Sequence, residues 1–135
     1  MSIVSHDFEN GTGTIKFSGN IINIGVSAFN GCNTMTDIII PSSVEKIVTN
    51  SFSGVGLTSI IIPDNVTYLG QAFTQTNISV IYSRPKIAPA PAESVADSFA
   101  SSGILYVPVD STGYEDWINK LISEGKNWEL VKLKL

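Results

Sequence analysis

The word IIIP at residues 38–41 returns as IIIP at 60–63, 22 positions further on. Reading outward from the two copies keeps them in step. One unit runs MTDIIIPSSVEKIVTNSFSGVG from Met35, and the next runs LTSIIIPDNVTYLGQAFTQTN from Leu57. Pro41 falls on Pro63, Val44 on Val66, Ile47 on Leu69 and Phe52 on Phe73. Upstream, IKFSGNIINIGVSAFNGCN fits the same frame, with Phe17 on Ile40, Ile24 on Ile47 and Phe29 on Phe52. Downstream, ISVIYS repeats the opening of the unit. After a Pro/Ala-rich segment ILYVP restores it, with Phe99 as the phenylalanine between them. The chain thus holds about four and a half units of roughly 20–26 residues, a period that marks stacked repeats.

The spelling follows from what a stacked unit must bury. One unit cannot cover its own apolar face and relies on its neighbours. Along Ile38-Ile39-Ile40 side chains alternate, so Ile38 and Ile40 face the core with Ile60 and Ile62 while Ile39 faces away. Pro41 and Pro63 end their strands because proline has no N–H for a ladder. Val44/Ile47 and Val66/Leu69 cover the returning side. Phe52 and Phe73 fill the middle of the coil from short helical turns.

The pattern L-x-x-I-x-I-P-x-x-V-x-x-I-G-x-x-A-F-x-x-C, carried by INIGVSAFNGCNTMTDIIIPSSV and LTSIIIPDNVTYLGQAF, resembles the BspA-like type of leucine-rich repeat. The resemblance covers residues 14–117, including LYVP with the Tyr and Trp that follow it. Val48 stands where the pattern has glycine, seen here as Gly25 and Gly70. Cys32 is the single repeat cysteine, and the unit after Thr76 carries the insert SRPKIAPAPAESVADS. The resemblance implies a right-handed, β-rich α/β solenoid with a parallel sheet on one face. It also implies a bacterial cell-surface or secreted protein that holds host or extracellular-matrix proteins, or mediates adhesion.

Length and composition agree with one folded domain. The 135 residues suffice for a single core, and a hydrophobic share of 43% against 15% charged residues excludes a disordered chain. The reading is one domain, 1–135, with an N-terminal cap at 1–14, repeats over 15–108 and a C-terminal cap at 109–135. A net charge of −4 without a basic patch argues against nucleic acid. No apolar run reaches membrane-spanning length. The opening MSIVSHDFEN has neither a basic nor an apolar leader segment, so either the protein stays inside the cell or the chain is a mature or trimmed form.

The ends of a solenoid need covering, or the core edge aggregates. Asn10-Gly11 is a tight-turn signal and predicts an N-terminal hairpin. Near the C-terminus, Tyr114, Trp117, Ile118, Leu121 and Ile122 recur at helical spacing. Thr112 with Glu115 reads as a capping box and Gly125 as a stop. Val131, Leu133 and Leu135 alternate with Lys132 and Lys134 as a final strand, and the two tryptophans read as cap packing.

Chemistry is sparse. His6, the one histidine, sits in Ser-His-Asp, but triad members converge in space and three adjacent residues of an extended segment diverge. Cys32 has no second cysteine for a disulfide or zinc and no base to activate it, and reads as a small buried repeat residue. GTGTIKFSG lacks both phosphate-loop spacings. Glu115 and Asp116 are neighbours on a helix and diverge. DSTGYED does not match an EF-hand. Asn10, Asn65 and Asn77 each begin a glycosylation sequon, which matters only in a eukaryotic secretory setting. No enzyme, metal or cofactor is expected.

The outward strand positions carry the functional signal. In register they are Lys16, Ile39, Ile61, Tyr82 and Tyr106, one column on the sheet, with Asp37 and Ser59 as a polar rim. A solvated face is expected to be polar there. Exposed apolar and aromatic rows mark partner surfaces. The plainer readings are β-propensity, since Ile and Tyr suit strands and pack across a ladder, or a homodimer contact. The Pro/Ala-rich insert is expected to be extended and exposed, either a recognition loop or, more in keeping with its composition, a crossing of the solenoid. Two functions follow: a non-catalytic, adhesin-like protein-binding module, or a structural spacer with no ligand of its own.

Overall fold

The computed structural model describes residues 2–91 and 98–134. It is a solenoid of about four turns whose strands line two sides. On one side β3 (Asn23–Ile24), β4 (Lys46–Ile47) and β6 (Tyr68–Leu69) form a three-stranded parallel sheet. On the other, β5 (Ser59–Ile62), β7 (Val80–Ser83), β8 (Ser102–Pro108) and β9 (Asn127–Leu133) form a four-stranded parallel sheet. The second sheet of short strands is an addition to the single sheet expected. Its strands are the Val44/Ile47 and Val66/Leu69 segments, which take up ladder bonds because consecutive coils lie at strand spacing there as well.

Between the sheets lies the core. Ile60, Ile62, Ile81, Leu105 and Val107 meet Val44, Ile47, Val66 and Leu69, all buried. The repeat phenylalanines form a column down the middle, Phe29 on Phe52 at 5.2 Å and Phe52 on Phe73 at 5.3 Å, with ring planes within 11° of parallel. Phe99 and Trp128 continue it. These rings sit in isolated hydrogen-bonded turns rather than in helix: Phe29 and Phe52 donate their N–H groups to Ser51 and Ala72 carbonyls of the next coil. That inter-coil bonding uses donors a helix would need internally.

One α-helix, α1 (Tyr114–Ser123), joins β8 to β9. It begins at Gly113, in the left-handed region at φ 92, with no side-chain cap. The capping box at Thr112 does not form, because the Thr112 backbone is bonded to Lys86 and Ala88. The helix ends as read: Gly125 at φ 78 donates to Ile122 and Lys126 to Leu121, the paired bonds of a left-handed glycine stop. Tyr114, Trp117 and Leu121 are buried, but Ile122 is exposed, about 140° around the helix from Trp117. Both tryptophans are buried in packing, Trp117 against Tyr114 and Trp128 against Phe99. Leu135 lies outside the described residues.

Three further readings change. The hairpin forms, β1 (Ile3–Glu9) against β2 (Thr12–Phe17) around Asn10-Gly11, but it reaches past residue 14 and is exposed along nearly its whole length. Phe17, placed by the repeat frame opposite Ile40, pairs instead with Ile3. A two-residue turn closes that pairing at far smaller loop-entropy cost than a coil of roughly 20 residues. Cys32 is exposed. Its counterparts Val55 and Thr76 are buried in the following coils, whereas no coil stacks outside the first one. Over its described part the insert runs as a crossing of the solenoid, with Arg84, Lys86, Ile87 and Ala90 exposed. Pro85 and Pro89 are buried and their carbonyls accept from Tyr114 Oη (2.7 Å) and Trp117 Nε1 (3.2 Å). Ala90 extends the small sheet beside Tyr68. Residues 92–97 of the insert lie outside the described residues.

Candidate binding face

The four-stranded sheet determines which residues share its outer surface. Pairing sets Ile61 beside Tyr82, Tyr82 beside Tyr106 and Tyr106 beside Val131. Because the side-chain period along a strand is two, all four point away from the core. The neighbouring outward column holds Ser59, Val80, Ile104 and Glu129. Beyond β5, the segment 37–40 sets Asp37 and Ile39 alongside Ser59 and Ile61, and together these line a cleft of about 300 Å³ that reaches Tyr82. A smaller hollow of about 130 Å³ continues past Tyr82 to Tyr106 and Leu133.

Of the seven residues singled out in the sequence, six therefore meet on one face: Asp37, Ile39, Ser59, Ile61, Tyr82 and Tyr106. Lys16 does not. It lies in β2 opposite Ser5, in the hairpin sheet, because β2 pairs antiparallel with β1 and never joins the coil. Val131 completes the apolar column from the other end. Its place follows from the alternation at 131–134 once β9 is known to pair parallel with β8, a long-range pairing that the repeat frame does not contain.

The column is unusually bare. Ile39 is 91% exposed, Ile61 57% and Tyr82 42%. Ile39 ends the column, since Lys16 lies in the hairpin sheet, and 37–40 is not a strand of the sheet. Asp37 Oδ1 accepts the Ile38 N–H at 2.9 Å, so a side chain takes a donor that the ladder would otherwise use. Tyr82 and Tyr106 stack at 4.7 Å with planes 10° apart. Each covers one ring face of the other, leaving ring edges and hydroxyls to meet solvent.

Charge on this face is simple. Arg84, just beyond the carboxyl end of β7, is held by Asp64 at 2.5 Å. Asp37 and Glu129 are exposed and form no ion pair among the described residues. The remaining shifted groups lie elsewhere. Lys132 sits 3.4 Å from Glu115, whose carboxyl is held below its usual range by a backbone hydrogen bond and by that lysine. The hydrogen bond between Lys86 and Asp110 raises the ammonium and lowers the carboxyl. Tyr114 is pushed up to about 12 by burial, partly offset by the hydrogen bond with Ser83. His6 is exposed in β1 opposite Ile15. Among the described residues no three His, Cys, Asp or Glu side chains gather as metal ligands, and no helix is long and apolar enough to cross a membrane.

A coil of stacked repeats with an exposed apolar column on its long sheet defines a leucine-rich-repeat solenoid. The chain belongs to the BspA-type leucine-rich repeat family: the family model for the BspA type leucine rich repeat region matches residues 2–110 in six copies. That match starts at residue 2, whereas the internal count of four and a half units begins at Ile15 in β2. No curated protein and no solved structure matches the chain. Leucine-rich-repeat domains generally mediate protein interactions, and this type is often surface-associated.

Proposed function

We propose that the domain is a non-catalytic protein-binding module, adhesin-like, of a bacterial cell-surface or secreted protein, and that it holds a host or extracellular-matrix protein on its long sheet. The observation that carries this reading is the outward column Ile39–Ile61–Tyr82–Tyr106, exposed at Ile39, Ile61 and Tyr82 and half-buried at Tyr106. Apolar and aromatic side chains on the outer side of successive rungs leave a penalty which a partner removes. Burial of such side chains is worth roughly 25 cal/mol for each Å², and tyrosine adds a polar tip suited to interfaces. Asp37 and Ser59 supply the rim.

The test is capture of matrix and serum proteins by wild type and by the Ile61→Asp/Tyr82→Asp variant, both checked by circular dichroism. Both positions are exposed, so the variant retains its fold. Capture by wild type alone supports the reading. Capture by neither leaves a structural spacer with no ligand of its own, and equal capture by both moves binding away from the column.

A further inference from the structure

The outer face has a direction as well as a composition. Its apolar column crosses the strands and runs along the stacking axis through five rungs: Ile39, Ile61, Tyr82, Tyr106 and Val131. The adjacent column begins at Asp37 and ends at Glu129, with Ser59, Val80 and Ile104 between them. On the opposite margin the Arg84 charge is already met by Asp64. The uncompensated charge of the face is therefore two carboxylates, one at each end of the same margin.

From this geometry we infer that the partner segment seated on the face is a basic amphipathic α-helix lying along the stacking axis. Its apolar stripe rests on the Ile39–Val131 column and a Lys or Arg faces each of Asp37 and Glu129. This rests on the binding role proposed above and names the chemistry of the partner.

Period decides between helix and extended chain. Rungs recur about every 4.8 Å, so four steps span about 19 Å. A helix repeats its apolar stripe about every 5.4 Å and follows five rungs with a drift of only about 2 Å. An extended chain laid the same way presents same-side residues about every 6.7 Å and meets four positions where the face has five. Addition as a further strand is disfavoured at β9, where Lys132 and Lys134 guard the sheet edge. A sugar ligand lacks its usual platform, because stacking of Tyr82 on Tyr106 occupies ring faces. The cleft between Ile39 and Ile61 takes the bulkiest apolar side chain of the helix. Cations fourteen residues apart lie on one helix flank, about 40° off exact alignment and about 21 Å along the axis, and so match the separation of Asp37 and Glu129.

The test uses two synthetic helical peptides of about 20 residues in an Ala/Gln background, with leucines at 3–4 spacing. On one flank they carry two lysines or two glutamates, fourteen residues apart. Each is titrated into the full ¹⁵N-labelled chain. The lysine peptide is expected to shift the resonances of Ile39, Ile61, Tyr82 and Tyr106. The glutamate peptide is expected to bind at least about fivefold more weakly at low salt, the scale of two exposed ion pairs. In Asp37→Asn/Glu129→Gln the preference disappears while the spectrum stays folded, because the amide oxygen introduced by Asp37→Asn still accepts the Ile38 N–H. Equal binding of the two peptides, or no shift of these resonances at millimolar peptide, overturns the inference. The binding role fails separately, when protein capture is absent or indifferent to Ile61→Asp/Tyr82→Asp.

Discussion

Truncating the same repeat residue in two different coils should cost very different amounts. Phe52 is fully buried and lies between Phe29 and Phe73, with near-parallel rings on both sides. Phe29 occupies the identical repeat position one coil earlier, is half-buried, and has a ring neighbour on one side. Phe52→Ala removes a whole ring from a closed site, and core changes of this kind cost about 3–5 kcal/mol. Two stacked pairs place it toward the upper part of that range, at about 4 kcal/mol. Phe29→Ala forfeits about half the burial and one ring pair, or about 1–2 kcal/mol, because water already reaches its outer side. With a urea slope of about 2 kcal/mol/M, the midpoint falls by about 2 M for Phe52→Ala and by less than about 1 M for Phe29→Ala. Urea unfolding followed by far-ultraviolet circular dichroism measures both. Equal midpoint shifts would refute the reasoning, since they would mean that position in the repeat, and not position in the stack, sets the energy.

Three other outcomes follow from single residues. Tyr114 holds its proton longer when folded, up to about pH 12 against the ordinary 10, so the unfolded chain loses that proton first and stability falls as pH rises from 10 toward 12. The difference amounts to about 3 kcal/mol, and Tyr114→Phe should flatten this part of the stability curve; an unchanged slope in the variant would exclude Tyr114 as its source. Gly103→Ala would set a Cβ 2.3 Å from the Ser79 carbonyl and 2.6 Å from the Trp128 ring, and should cost about 1–3 kcal/mol in thermal or urea unfolding; a neutral result would show that β8 yields at that point. Cys32, exposed in the first coil, should react with Ellman's reagent in native buffer, on the timescale of a free thiol; reaction only after urea is added would place it inside the fold.

Much of the fold is legible because a solenoid core is assembled from near neighbours. Coils 22 residues apart bury the same positions, so a frame drawn through Val44/Val66, Ile47/Leu69 and Phe52/Phe73 names residues that meet in space. The outward column is legible for the same reason, since alternation along each strand combined with the repeat period brings Ile61, Tyr82 and Tyr106 into register. The frame fails where the chain has a local alternative. Lys16 and Phe17 keep the repeat spelling, yet the Asn10-Gly11 turn brings β1 to them first. Asp37 satisfies the Ile38 N–H from its own side chain, and the rung at 37–40 leaves the ladder.

The sequence by itself determined the repeat, its core positions and the alternation that separates the inward isoleucines from the outward Ile39, Ile61, Tyr82 and Tyr106, because these are properties of spacing along the chain. Tertiary structure alone decided what the ends do. It left the hairpin out of the coil, exposed Cys32, brought Pro85 and Pro89 beneath Tyr114 and Trp117, and added Val131 and Glu129 to the face through β9. The physical reason is that an end residue's surroundings depend on whether another coil covers it and on which distant strand it pairs with. Neither is encoded in the spacing of the residues themselves.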